Sequence, residues 1–176
     1  METKFTRPLT DLTVQDDGLT IEGYASLFGL PDQGGDIMER GAYAKSLERL
    51  ATHGDSVKML WQHDPSEPIG LWEEVREDAR GLRVKGRLLP EVARGREAAA
   101  LIRAGAIDGL SIGYRTVRAT KDSQGRRRLH EVELWEVSLV TFPMLREARL
   151  AAKGADLALL HEMTAAVAQA RARLMG

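Results

Sequence analysis

The amino-acid sequence predicts an α+β fold, with strands over its first two-thirds, two helices set among them, and a helical C-terminal part. Three observations predict it. Apolar and polar residues alternate with the period of a half-buried strand in several runs before position 141. Gly, Pro and Asp clusters punctuate those runs like turns. From Leu145 onward proline is absent, and Ala, Leu and Arg, all strong helix formers, dominate.

The elements follow in order. Phe5 to Val14 and Leu19 to Phe28, joined by Asp16-Asp17-Gly18, read as a hairpin. Gly29, Pro31, Gly34 and Gly35 make residues 29–36 a loop. Gly41 to Leu50 has helical spacing, with Tyr43, Leu47 and Leu50 on one face. Val57 to His63 is a strand, which proline two residues after His63 is expected to stop. Ile69 to Arg76 and Leu82 to Leu89 form a second hairpin across Glu77 to Gly81. Pro90 precedes a helix over Glu91 to Ala104, closed by Gly105. Ile107 to Val117 is a strand, Lys121 to Arg128 a polar turn, and Leu129 to Thr141 a long strand ended by Pro143. Beyond it, Leu157, Leu160, Val167 and Leu174 give an amphipathic stripe, suited to packing on the same domain or to self-association.

Composition narrows the function. At 176 residues the chain is about one domain, long enough to bury a core without staples. The net charge of −1 gives no electrostatic pull toward nucleic acid or an anionic membrane. With no cysteine, disulfides, thiol nucleophiles and cysteine-ligated zinc are excluded. The four histidines lack metal-ligand spacing such as His-Glu-x-x-His, and neither a metal nor another cofactor is expected. Met1 to Leu12 carries charges and no apolar run, so no signal peptide is expected, and no stretch is apolar enough for a membrane span.

Three strand segments hold the candidate chemistry. Trp61-Gln62-His63-Asp64 supplies a histidine, Gly109-Leu110-Ser111-Ile112-Gly113 a serine, and Glu133 to Ser138 a carboxylate at Glu136. Base, hydroxyl nucleophile and orienting acid are the parts of a serine hydrolase. Ser111 shares a strand face with Gly109 and Gly113. That face is expected to be clear of side chains, leaving room for a substrate backbone; the alternative is a serine in a glycine-rich edge with no chemistry. His63 sits where strand meets loop, a suitable place for a general base or for a structural histidine. His53, His130 and His161 are weaker candidates. Glu136 stands in a nearly continuous apolar run, so its charge requires a partner, either a histidine or one of the many arginines. Asp64 is disfavoured as the orienter because neighbours on a strand point to opposite faces. Gly109 to Gly113 also fits the Gly-x-Ser-x-Gly elbow of esterases, which requires a strand-to-helix turn rather than the strand expected here.

In series, these motifs resemble the prohead maturation proteases of tailed bacteriophages, a family related in fold to the herpesvirus capsid protease, assemblin. The resemblance runs from about Ile21 to Pro143. It takes in Glu22-Gly23-Tyr24-Ala25, Gly35-Asp36-Ile37 and Gly41-Ala42-Tyr43, then Trp61 to Pro65, Pro68-Ile69-Gly70, Gly109 to Tyr114, and Leu134 to Pro143. It implies a mostly antiparallel, herpesvirus-protease-like β-barrel core with surrounding helices. Residues 1–144 would be the serine protease domain and 145–176 a helical segment packing on it or mediating association. The resemblance makes Ser111 the nucleophile and His63 the base of an endopeptidase, with Glu136 where herpesvirus relatives carry a second histidine; His130 is the alternative third member. The loop Met144-Leu145-Arg146 would supply oxyanion donors. The implied substrates are the scaffolding segment of the major capsid protein and the enzyme itself, cut inside a procapsid in a bacterial host, with a homodimer as one possible state. Gene transfer agents use capsids of the same type, so phage and gene transfer agent both fit. A non-catalytic assembly factor that binds the capsid protein's N-terminal segment is the competing reading.

Overall fold

A computed structural model of the chain describes residues 20–145 and 148. The predicted strand Phe5 to Val14, Arg146 and the expected C-terminal helix lie outside these residues. The described chain forms β1 (Thr20–Leu27), β2 (Ile37–Met38), α1 (Ala44–His53), β3 (Lys58–Trp61), β4 (Asp64–Glu77), β5 (Gly81–Leu88), α2 (Ala93–Arg103), β6 (Gly109–Lys121) and β7 (Arg127–Val140). Both helices close on left-handed glycines, Gly54 and Gly105, where a residue without Cβ adopts positive φ at no steric cost.

The strands run β1-β5-β4-β3-β7, with β6 on the far side of β7 and the short β2 continuing the line of β3 along β7. The β1–β5, β5–β4, β4–β3 and β6–β7 pairs are antiparallel; β3–β7 and β2–β7 are parallel. β1 and β6 approach each other but do not pair, so the sheet is a half-barrel open along one seam. The expected barrel is thus incomplete there. Leu145 and Ala148 are buried, and the Ala148 carbonyl accepts the Leu110 N–H at 2.8 Å. A return of the chain after β7, and not β1, therefore satisfies this position on β6.

Close packing around Met59 requires glycine at positions 70 and 86. A Cβ at Gly86 would lie 2.7 Å from Trp72 Cε3 and 2.9 Å from Met59 Cε, and would overlap the Leu71 carbonyl. Gly86→Ala is expected to cost about 1–3 kcal/mol through overpacking, read as a lower urea midpoint at unchanged slope.

The strand boundaries around the prolines also differ from expectation. The strand expected over Val57 to His63 ends at Trp61, and β4, expected from Ile69, begins at Asp64 and runs through Pro65 and Pro68. Its register against β3 slips twice, pairing Met59 with Gly70, Leu60 with Pro68 and Trp61 with Asp64. The slips place both prolines at irregular positions, where an extended chain tolerates a missing N–H.

Candidate functional site

Trp61 and Asp64 are paired across a two-residue turn made of Gln62 and His63, both left-handed with φ of 52° and 62°. Turns of this type favour Asn-Gly, and each non-glycine residue at such φ costs about 1–3 kcal/mol. The surroundings must hold the turn in place, and β7 does so. Gln62 N–H donates to the Leu139 carbonyl at 2.9 Å, and Gln62 Nε2 donates to Thr141 Oγ1 at 2.8 Å. His63 N–H donates to Ser138 Oγ at 3.1 Å. The turn projects the His63 ring toward β7, a direction that strand alternation does not give.

The ring meets Glu136. His63 Nδ1 lies 2.5 Å from Glu136 Oε1, and Ser138 Oγ donates to Glu136 Oε2 at 2.6 Å. A carboxylate only accepts, so Nδ1 carries the proton and Nε2 of a neutral ring keeps its lone pair. The Glu136 side chain is 10% exposed and the His63 side chain 41%, so the acid is buried and the base opens to solvent. Glu136 thus finds the histidine partner, not the arginine. Glu131 and Glu133 instead form ion pairs near the surface with Lys45, Arg49 and Arg115.

Ser111 lies on the adjacent strand, in register with Ser138, while Gly113 is in register with Glu136. Opposed residues of an antiparallel pair share a face, so Ser111 lies on the His63–Glu136 side of the sheet. The open surface expected around it is absent. A Cβ at Gly113 would meet Glu136 Cδ at 2.7 Å, and one at Gly109 would meet Pro143 Cδ at 2.8 Å. The glycines make room for the protein's own carboxylate and proline ring rather than for a peptide. Ser111 is 3% exposed, and its Oγ is buried with no hydrogen-bond partner, neither His63 nor Glu136. A buried hydroxyl without a partner is uncommon; among the described residues the Tyr43 hydroxyl shares this condition.

The other histidines stand apart from this cluster. His53 Nδ1 donates to the Arg49 carbonyl of its own helix, and His130 Nε2 pairs with Thr120 Oγ1 on the exposed β6–β7 arm. His161 lies outside the described residues. The serine segment is strand throughout, inside β6, so the esterase elbow does not apply. Two contributors carried no role in the sequence analysis. Ser138 was visible as a hydroxyl in an apolar strand two residues from Glu136; Gln62 left no signal.

A cavity of about 460 Å3 opens at the β1–β6 seam; Ser111 lines it, while His63, Glu136 and Ser138 do not. Its walls include Leu27, Met38, Leu110, Ile112 and Met144. At its polar end Arg127 pairs with Asp36 and holds that carboxyl below its ordinary value, while burial pushes the Tyr114 hydroxyl up. No helix among the described residues is long and apolar enough to cross a membrane.

Comparison with known proteins adds four likenesses. Residues 7–162 match the model of a family described as caudovirus prohead serine protease. The chain is 34% identical to the prohead protease of Enterobacteria phage HK97 over 134 residues, 74% of this chain and 58% of that one. It is 32% identical over 146 residues to a capsid polyprotein of Pseudomonas phage PAJU2, covering 78% of this chain and 20% of that one. The chain therefore spans little more than half the length of the first of these relatives. Among solved structures, the bacteriophage T4 capsid assembly protease superposes with a TM-score of 0.56 at 19% identity, over 69% of this chain and 80% of that one, a likeness of fold.

Proposed function

The chain belongs to the caudovirus prohead serine protease family, and from that premise we propose that it is a serine endopeptidase that trims the scaffolding segment of the major capsid protein, and itself, inside the procapsid. The observation that carries this reading is the His63–Glu136 contact at 2.5 Å, which leaves Nε2 unprotonated, with Glu136 on the sheet face that Ser111 shares.

The chemistry follows from these positions. Ser111 Oγ makes no hydrogen bond to His63 in the structure, so the scheme requires substrate binding to bring the two together; as Oγ then attacks the scissile carbonyl carbon, its proton passes to His63 Nε2, and Glu136 stabilises the imidazolium through Nδ1–H. The imidazolium then protonates the leaving amine, and the acyl group stays on Ser111. Water, deprotonated by the same Nε2, releases the acid and restores the serine. Because Ser111 is buried, an extended substrate reaches it through the seam cavity, where the edge of β6 faces away from β7. Beyond the Leu110 N–H, which the Ala148 carbonyl already takes, such an edge accepts a peptide as an added strand. The capsid protein as substrate is supported by the T4 relative's description as a capsid assembly protease and by the match to a capsid polyprotein.

The test is co-expression with the capsid protein of the same particle. Truncation of its N-terminal segment by the parent chain, and none by the Ser111→Ala chain, is the expected result; equal truncation by both removes the proposal. Gly113→Ala probes the acid separately. Its new methyl would occupy the space of the Glu136 carboxylate, parting the acid from His63. The cleavage rate is expected to fall by about 100-fold, the scale of a misplacement near 1 Å, with the variant still folded by circular dichroism.

A further inference from the structure

We infer that Ser138 is a positioning residue, a clamp whose single hydroxyl fixes both the backbone of the base and the carboxylate of the acid. The inference rests on the peptidase reading of the site. Ser138 is fully buried on β7. A hydroxyl has one proton to give and lone pairs to receive. Here the proton goes to Glu136 Oε2 at 2.6 Å and a lone pair receives the His63 N–H at 3.1 Å. These bonds close a ring that runs from His63 N–H through Ser138 Oγ to Glu136 and back through Nδ1 to the same histidine.

Each bond removes a different freedom. The donation to Oε2 stops the carboxylate rotating and keeps Oε1 turned toward Nδ1. Acceptance from His63 N–H stabilises the left-handed turn, where φ is 62°. Without the hydroxyl, Oε2 loses its donor in a buried place and the turn loses one of the bonds that offset its strain. Ser138 also stands in register with Ser111, so the clamp and the proposed nucleophile are cross-strand neighbours. Ser138 touches neither substrate nor reacting atoms in this scheme; it acts through His63 and Glu136.

A merely structural serine would affect folding alone, so the test reads the state of His63 directly. Full-length chains carrying Ser138→Ala, Ser138→Cys or Ser138→Thr are compared with the parent by nitrogen-15 NMR of the histidines, at a pH where the imidazole is neutral, and by kinetics on the capsid segment. Nearly isosteric Cys, a weak donor, covers the case in which Ala does not fold. The expected result is loss of the pure Nδ1–H tautomer at His63 in Ala and Cys. Alongside it, kcat falls by about 10- to 100-fold with KM within about twofold, and Thr, which keeps the hydroxyl, restores both. Parental tautomer and kcat in a folded Ala or Cys variant overturn the clamp. The tautomer needs no turnover, so it tests the clamp even if Ser111→Ala cleaves at the parental rate, an outcome that would sink the peptidase reading instead.

Discussion

Ser111→Ala is expected to abolish capsid-protein cleavage without lowering stability, and the two halves of that result have one cause. Removing the nucleophile of a Ser-His-acid site lowers kcat on the order of 10^6-fold, equivalent to about 8 kcal/mol of lost transition-state stabilisation at roughly 1.4 kcal/mol per decade. Stability moves differently because Ser111 Oγ makes no hydrogen bond in the folded protein. A hydroxyl that leaves water on folding without gaining a partner costs about 1–3 kcal/mol. Alanine fills nearly the same volume and carries no such cost, so the urea midpoint is expected to hold or rise. A drop in stability would mean that the hydroxyl has a partner in solution. Cleavage retained at the parental rate would remove the proposed serine-peptidase site. Inactivity with undiminished stability is what a group kept for chemistry predicts, since such sites are maintained at the expense of the fold.

Much of this site was legible in the sequence because strand periodicity is short and its consequences are local. Alternation located β6 and β7, and the isolation of Glu136 in an apolar run required a partner for its charge. The histidine contact meets that requirement. Alternation also failed at an informative place. It carried the strand of β3 as far as His63, whereas the chain turns at Gln62 and His63 with positive φ. Neither residue is a usual occupant of such a turn, and the bonds that hold it come from β7, some 75 residues further along the chain. Local propensity cannot report a conformation imposed from that distance.

The glycines beside Ser111 were misread for a related reason. Their small size was visible, but not what fills the space above them. Periodicity places Gly109, Ser111 and Gly113 on one face without saying which neighbour crosses it; only the β6–β7 register sets Glu136 over Gly113, and only the turn after β7 sets Pro143 over Gly109. The prolines of β4 teach the same lesson, since the slipped register that tolerates them belongs to the pairing with β3 and not to β4 alone.

Glu136→Gln should be nearly as damaging as loss of the nucleophile, and the reason lies in counting protons. Glu136 accepts from Ser138 Oγ on one oxygen and from His63 Nδ1 on the other. Glutamine offers one oxygen and one NH2 group in the same volume. If its oxygen faces Ser138, the NH2 faces Nδ1, which must then accept, and the ring proton moves to Nε2. The base is then in the wrong tautomer to take a proton from Ser111. If the amide is reversed, its NH2 donates to Ser138 Oγ, which already receives the His63 N–H, and the serine proton is left without its acceptor in a fully buried position. The first arrangement costs less, so the tautomer is expected to switch and kcat to fall by about 10^4-fold, the effect of the equivalent change in a Ser-His-Asp triad, with KM little altered. Glu136→Asp keeps the charge on a shorter arm and should lie between the two. Single-turnover cleavage of the capsid segment, beside histidine NMR of the same samples, decides the matter: a Gln variant within tenfold of the parent would show that Glu136 holds the ring in place but does not set its proton.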